Sequence, residues 1–216
     1  MEYQHGGDIY SREVALDFSA NINPFGMPEA VRRAAADSLG RNDVYPDSRC
    51  LALREALASF HGVPKEWLTC GNGAADLIFA LAFGAKPARA LVTAPAFAEY
   101  EQALGAAGCR TEWLDLREED GFAPDIDALI GRLDTGVDMV FLCNPNNPTG
   151  VALKRDQVER LAGECLKRGT ILAVDECFCD FLDRPEEHSA IPLLGTYPNL
   201  FVLKAFTKLY AMAGLR

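Results

Sequence analysis

Short apolar runs alternate with segments of helical periodicity along most of this chain. Several runs are apolar at successive positions, which is typical of parallel strands that are buried on both faces. The predicted strands are Trp67–Cys70, Ala90–Thr93, Thr111–Leu114, Met139–Cys143, Ile171–Asp175 and Leu200–Leu203. Apolar stripes predict helices over Leu53–Phe60, Ala74–Phe83, Ala98–Ala107 and Lys154–Lys167. This alternation predicts an α/β fold, a three-layer sandwich around a mainly parallel sheet.

The first 40 residues do not continue this alternation. The segment Asp17–Pro28 (DFSANINPFGMP) is rich in Asn, Pro and Gly, a composition that favours an extended arm with turns. We therefore expect an N-terminal arm over residues 1–40 and one α/β domain over residues 41–216.

Composition and charge exclude several classes of protein. The 216 residues are 49% hydrophobic and 24% charged, as in a globular domain, and no apolar run reaches the length of a membrane span. The N-terminus lacks the basic start and apolar core of a signal peptide, so a cytoplasmic protein without a membrane partner is expected. The net charge of −10 argues against a nucleic-acid partner, because phosphate contacts need clustered Lys and Arg.

The seven cysteines are odd in number and lie mostly among apolar residues. This usage predicts buried, reduced thiols. Cys177 and Cys179 are too close in sequence for the usual zinc pair, and the three histidines lie far from them, so we expect no metal site.

Ligands of a parallel sheet bind beyond the carboxyl ends of its strands, so the residues that follow each strand are the ones to inspect. The run Gly71–Asp76 (GNGAAD) places a glycine turn before a helix, where exposed backbone N–H groups suit a phosphate. It has neither the third glycine of a dinucleotide fingerprint nor the GK[ST] of a P-loop. A tight turn without a ligand therefore remains the alternative.

Three further strand ends carry polar groups. Asn144–Gly150 (NPNNPTG) predicts an irregular turn with Asn side chains at the sheet edge. Asp175 ends an apolar strand, where it either caps the next turn or holds a ligand cation. Lys204 and Lys208 follow the last strand, where a lysine can act as an amine nucleophile, although a lone lysine is more often a surface residue. With the glycine turn, these groups match the phosphate, phenolic oxygen, pyridine nitrogen and aldehyde of pyridoxal phosphate.

Three motifs resemble those of the fold-type I pyridoxal-phosphate enzymes of the class I/II aminotransferase superfamily. They are Asn144–Gly150 (NPNNPTG), Asp175–Phe178 (DECF) and Thr207–Arg216 (TKLYAMAGLR). Within the superfamily the chain is most similar to threonine-phosphate decarboxylases and next to histidinol-phosphate aminotransferases. The segments that favour the former are His5–Gly7, Asp17–Gly26, Tyr45–Asp47, Ala96–Leu104 and Thr207–Lys208. Histidinol-phosphate aminotransferases usually have Tyr at the position of Phe178 and lack the HGG start.

The resemblance implies a role for each matching residue. Lys208 is expected to be the Schiff-base lysine, with nearby Lys204 a surface residue. Asp175 is expected to pair with the pyridinium nitrogen, Asn147 to bind the phenolic oxygen and Phe97 to stack on the ring. The cofactor phosphate is expected to contact Gly73, Ala74, Ala75, Thr207, Arg216 and, from the neighbouring subunit, Tyr45. The substrate is expected to contact His5, Gly6, Asn21 and Asn147.

The same resemblance implies a homodimer that decarboxylates O-phospho-L-threonine to (R)-1-amino-2-propanol phosphate in cobalamin biosynthesis. An aminotransferase acting on histidinol phosphate or another amino acid is the first alternative, and a non-catalytic protein of the same fold is the second. In this reading residues 1–40 are a substrate-contacting arm and residues 41–216 the cofactor-binding large domain. Relatives continue beyond the lysine motif into a small C-terminal domain that this chain lacks, so we expect a longer complete protein. Ala205 and Phe178 depart from the residues common in the superfamily.

Overall fold

A computed structural model describes residues 6–7, 11, 15–41 and 43–215 of the chain. His5 and Arg216, both expected site residues, lie outside these ranges. Within them the chain forms one sheet of five strands in the order β2-β1-β3-β4-β5, and every pairing is parallel. The strands are β1 Arg89–Ala94, β2 Arg110–Asp115, β3 Met139–Cys143, β4 Ile171–Asp175 and β5 Leu200–Leu203. The predicted α/β fold with a parallel sheet is confirmed.

Helices cover both faces of the sheet. The described residues form α1 Glu29–Ser38, α2 Leu51–His61, α3 Ala74–Ala85, α4 Glu99–Ala106, α5 Ile126–Leu133, α6 Arg155–Lys167 and α7 Phe206–Leu209. Short 3-10 turns occur at Leu39–Arg41, Lys65–Trp67, Glu118–Asp120, Cys179–Phe181, Pro185–Glu187 and Ile191–Leu193. None of the helices in the described ranges is long and apolar enough to cross a membrane.

Alternate residues of each strand point to opposite faces, and each face has its own hydrophobic core. Helices α5 and α6 pack on one face, where Val140 and Leu142 of β3 contribute. Helices α3 and α4 pack on the other face, where Phe141 and Cys143 of the same strand contribute. This arrangement is the three-layer sandwich that the apolar strands predicted.

The structure corrects one predicted strand and adds two helices. Trp67–Cys70 is not a strand: Lys65–Trp67 forms a 3-10 turn after Pro64, and residues 68–70 pair with none of the five strands. A four-residue apolar run between a turn and a glycine loop lacks a neighbouring strand to complete its hydrogen bonds. Helices α1 and α5 were not anticipated. Helix α2 ends at Gly62, whose φ of 67° explains the glycine, but none of its residues is buried.

The strand order changes direction between β1 and β3. Strand β2 lies on one side of β1, and β3, β4 and β5 follow on the other side. The carboxyl ends of strands on either side of such a reversal form a crevice in which ligands of open α/β sheets bind. Of the predicted site residues, Asp175 ends β4, and Phe97, Asn147, Thr207 and Lys208 lie in the segments that follow β1, β3 and β5.

Candidate active site

The loop after β3 joins the ends of three strands. The backbone N–H of Asn144 donates to the carbonyl oxygen of Asp175 at 2.8 Å, and its side chain exchanges two hydrogen bonds with the backbone of Leu153. The amide nitrogen of Asn146 donates to the carbonyl oxygen of Pro95, just beyond β1, at 3.1 Å. Asn144 and Asn146 are buried, and their amide nitrogens donate to backbone carbonyl groups, so the half-buried Asn147 is the amide of this loop best placed to face a ligand.

Asp175 is held at the end of β4 by two donors. The hydroxyl group of Tyr100, in α4, donates to Oδ2 at 2.6 Å, and the backbone N–H of Cys177 donates to Oδ1 at 2.9 Å. Asp175 is 3% exposed. A carboxylate has about four lone-pair positions, so each oxygen keeps capacity to accept from a ligand N–H.

The groups around Asp175 remain protonated at neutral pH. Burial, and secondarily Asp175, raises the pKa of Tyr100 well above its ordinary value. Burial followed by Asp175 also raises the pKa of the Cys143 thiol to about 12, and the same causes raise that of the Cys177 thiol. None of the three therefore brings a second negative charge to this buried edge of the sheet.

Aromatic rings line the same edge. Phe97 is half-buried beyond β1, and its ring meets the Tyr100 ring edge-on with centroids 5.7 Å apart. Tyr100 in turn stacks on Phe141 of β3 at 5.0 Å. Phe97 is thus linked to Asp175 through Tyr100, whose hydroxyl group donates to the Asp175 carboxylate.

Lys208 approaches the β4 loop from α7. Its Nζ lies 5.8 Å from the centroid of the Phe178 ring, a cation–π distance. Phe178 follows Asp175 by three residues, so the predicted lysine and the predicted acid approach the same loop. Thr207, the preceding residue, is half-buried.

Lys204 is not the surface residue that the sequence suggested. Its side chain is 22% exposed, with Nζ at 2.8 Å from Oδ1 of Asp180 and 3.8 Å from Oε2 of Glu176. Glu176 is fully buried and also accepts from the Ser189 hydroxyl and the Ala190 N–H. Lys204 is thus committed to an ion pair, which leaves Lys208 as the lysine of this segment that faces the Phe178 loop.

The glycine turn before α3 has the geometry of an exposed helix start. Gly73 adopts φ 87°, and α3 begins at Ala74 without a side-chain cap. Asp76 instead turns back to accept from the Asn72 N–H at 2.9 Å. A Cβ at Gly71 would lie 2.8 Å from Leu77, so packing explains that glycine. The N–H groups of Gly73, Ala74 and Ala75 are the helix-start donors that suit an anion.

The N-terminal arm reaches the same edge. The amide nitrogen of Asn21 lies 3.4 Å from Oδ1 of Asn147. The Gly7 N–H donates to the Ser19 hydroxyl at 2.7 Å, and a Cβ on Gly6 would lie 1.9 Å from the Ser19 carbonyl oxygen. Gly6 therefore packs directly against the segment that carries Asn21.

Tyr45 is the expected residue that the structure leaves apart from this group. Its side chain is 99% exposed. Tyr100, in contrast, is a site residue that sequence reasoning missed. It stands three residues after Phe97, the spacing that puts two residues on one side of a helical turn, and that spacing was the available signal.

The donor set fits pyridoxal phosphate. The buried Asp175 can accept from a pyridinium N–H, the Asn147 amide can donate to a phenolic oxygen, and the Lys208 amine can condense with an aldehyde. Uncapped N–H groups before α3 suit the phosphate. In the described ranges, no group of three His, Cys, Asp or Glu side chains is placed to hold a metal ion.

Comparison with known proteins agrees with this reading. The profile of the family described as "Aminotransferase class I and II" matches residues 13–216. The threonine-phosphate decarboxylase of Salmonella typhimurium is 43% identical over 98% of this chain and 60% of its own length. Histidinol-phosphate aminotransferase 1 of Cupriavidus pinatubonensis is 33% identical over 95% of this chain and 56% of its own length. The chain thus spans less than two thirds of these relatives.

A solved structure shares the fold. The crystal structure of histidinol-phosphate aminotransferase from Clostridium acetobutylicum superposes with a TM-score of 0.81 at 28% identity, covering 92% of this chain and 57% of that one. The sandwich, the strand-end residues and the family profile lead to one conclusion. The chain belongs to the class I and II aminotransferase family of pyridoxal-phosphate-dependent enzymes.

Proposed function

We propose that the protein containing this chain decarboxylates O-phospho-L-threonine to (R)-1-amino-2-propanol phosphate and CO2. The observation that carries the proposal is the contact of the arm with the site, through Asn21 and Asn147 at 3.4 Å. Gly6 and Gly7 of the HGG start pack on that same arm segment. The 43% identity to a threonine-phosphate decarboxylase, against 33% to a histidinol-phosphate aminotransferase, supports the same choice.

Each group at the strand ends has a task in this proposal. Asp175 would hold the pyridinium nitrogen, Asn147 the phenolic oxygen and Phe97 the ring face. The N–H groups of Gly73, Ala74 and Ala75, with Thr207 and Arg216, would hold the cofactor phosphate. When bound, pyridoxal phosphate supplies an electron sink for the pair of electrons left at the substrate α-carbon.

Lys208 would hold the cofactor between turnovers and then handle the proton. Loss of CO2 breaks the bond between the α-carbon and the carboxylate, and the electron pair stays on the α-carbon. The Lys208 Nζ would deliver the proton that this carbon needs. His5, Gly6 and Asn21, with Asn147, would bind the substrate and set which bond breaks.

An aminotransferase is the alternative within the same family. It would remove the α-hydrogen instead of the carboxylate and pass the amino group to a 2-oxo acid. A protein with this fold and no activity is a further alternative. The chain carries both Lys208 and Asp175, which argues against it.

The test uses the complete protein with pyridoxal phosphate and O-phospho-L-threonine, with and without 2-oxoglutarate. CO2 release without the oxo acid supports the decarboxylase, whereas glutamate formation without CO2 supports the aminotransferase. Lys208→Ala should abolish the visible absorption band of lysine-bound cofactor, and Lys167→Ala, on the exposed end of α6, should leave it unchanged. Asp175→Asn should retain the fold and lose activity.

The assembly and cellular setting belong to the same proposal. Tyr45 is exposed, and we propose that it reaches the cofactor phosphate of a neighbouring copy in a two-fold homodimer. The substrate is a small phosphorylated amino acid. The setting that this reaction implies is cobalamin synthesis in the cytoplasm.

A further inference from the structure

Asn23, in the N-terminal arm, uses all of its hydrogen-bonding groups at the turn that carries Lys208 and within its own loop. Its backbone N–H donates to the carbonyl oxygen of Lys208 at 3.1 Å, and its amide nitrogen donates to that of Leu209 at 2.8 Å. Its side-chain oxygen accepts from the Phe25 N–H, and its carbonyl oxygen from the Gly26 N–H, both at 3.0 Å. The bonds to Lys208 and Leu209 join residues that lie 185 and 186 positions apart in sequence.

The turn that carries Lys208 has little support of its own. Helix α7 is a single turn of four residues, closed by the Tyr210 N–H on the Phe206 carbonyl and the Ala211 N–H on the Lys208 carbonyl, both at 3.2 Å. So short a helix is not stable alone, because nucleation costs more than one hydrogen bond returns. The place of Lys208 therefore depends on contacts from elsewhere in the fold.

The arm also contacts the opposite side of the site. Asn21, two residues before Asn23, lies against Asn147 of the β3 loop. One short segment thus contacts both the loop proposed to bind the phenolic oxygen and the turn that carries the lysine. A shift of this segment changes the distance between those two elements.

We propose that Asn23 is a positioning residue that sets the Lys208 turn against the Asn144–Gly150 loop. This inference rests on the proposed function, since it assumes that Lys208 is the cofactor lysine. Asparagine is required because one side chain must donate to Leu209 and accept from Phe25. Aspartate keeps the acceptor but replaces the donor with an oxygen that repels the Leu209 carbonyl.

Asn23→Asp is the first test, and Asn199→Asp is its matched control. Asn199 also donates its side-chain amide to backbone carbonyl groups, those of Ala162 and Thr170, but it lies at the amino end of β5, opposite to Lys208. Four quantities are compared in the complete protein: kcat, KM, the pH midpoint of the visible cofactor band, and hydrogen exchange of peptides covering residues 206–211 without cofactor.

Asn23→Asp should lower kcat by about 10- to 100-fold, as a small misplacement of a reacting group does, with KM changed less. It should shift the band midpoint and speed exchange in the Lys208 turn, while Asn199→Asp changes neither. Asn23→Ala, which keeps the backbone hydrogen bond to Lys208, should have a smaller effect in the same direction. Its milder change keeps the comparison usable where Asn23→Asp folds poorly.

Two results overturn the inference: unchanged kcat, band and exchange in both Asn23 variants, or an equal change in Asn199→Asp. Failure of the proposed function is distinguishable. If the protein is an aminotransferase, glutamate forms without CO2 while the visible band remains; if Lys208 is not the cofactor lysine, borohydride with pyridoxal phosphate leaves no label on it. The hydrogen exchange of residues 206–211 then decides by itself whether Asn23 positions the Lys208 turn.

Discussion

The hydroxyl group of Tyr100 donates a 2.6 Å hydrogen bond to Oδ2 of Asp175, from a residue 75 positions earlier in the chain. Both side chains are buried, so the bond is shielded from water and from salt. It fixes which edge of the Asp175 carboxyl group remains for a ligand. Because burial raises the pKa of Tyr100 well above its ordinary value, the phenol stays a donor at neutral pH.

Removing that donor should weaken the site without unfolding the protein. Tyr100→Phe keeps the ring stack on Phe141 and is expected to lower kcat about 10-fold, since a hydrogen bond to a charged group contributes about 1.5–3 kcal/mol. The matched control is Tyr197→Phe, whose hydroxyl donates to Glu159 at the exposed surface. Equal kcat values for the two variants would contradict the role of Tyr100.

The pair of Lys204 and Glu176 predicts a pH-dependent loss of stability. Burial raises the pKa of Glu176, while the hydrogen bond from the Ala190 N–H and the charge of Lys204 lower it in part. The substitution Lys204→Met removes that charge. When the pKa of an acid is higher in the folded than in the unfolded protein, the protein loses stability as the pH rises from the unfolded-state pKa to the folded-state pKa. The variant should therefore lose about 1–3 kcal/mol at about pH 8 and less at about pH 5.

Denaturant unfolding at the two pH values measures this difference. Glu176→Gln in the Lys204→Met background should remove the part of the pH dependence that comes from ionisation of Glu176. Lys154→Met, which breaks a more exposed pair with Glu187, is the control and should change stability little at either pH. A loss for Lys204→Met that does not vary with pH would argue that Glu176 stays neutral.

Substitution of Gly6 should affect substrate binding more than folding. The Cβ of Gly6→Ala would lie 1.9 Å from the Ser19 carbonyl oxygen, so the arm must move. Gly6 is exposed, and the free energy of unfolding should change by less than about 1 kcal/mol. The KM for O-phospho-L-threonine should rise about 10-fold, whereas Gly40→Ala, with open space around it, should leave KM unchanged.

Mixing two inactive variants tests whether Tyr45 acts across a dimer. Tyr45→Ala and Lys208→Ala each inactivate a site, but a mixed dimer regains one intact site if Tyr45 serves the neighbouring subunit. Random exchange should then restore about a quarter of wild-type activity. No recovery, in mixtures shown by mass to contain mixed dimers, would place Tyr45 in the site of its own chain.

The sequence by itself determined the architecture and the chemical groups. Runs such as Met139–Cys143 are apolar at every position, which is typical of a parallel strand covered on both faces. In the structure this run is a strand that is buried at every position. The motifs at the strand ends made Asp175 and Lys208 candidate site residues, because residues that directly follow a predicted strand can be read from the sequence. The strand predicted over Trp67–Cys70 was wrong, because a short apolar run does not reveal whether a partner strand exists.

Only the tertiary structure decided which side chains meet. Tyr100 reaches Asp175, Asn23 reaches the Lys208 turn and Lys204 turns to Glu176 through contacts between distant segments. No local pattern encodes such pairs, since each depends on the strand order that brings β1, β3, β4 and β5 to one edge. The sequence indicates which chemical groups are available to the site, and the tertiary contacts determine which side chains position them.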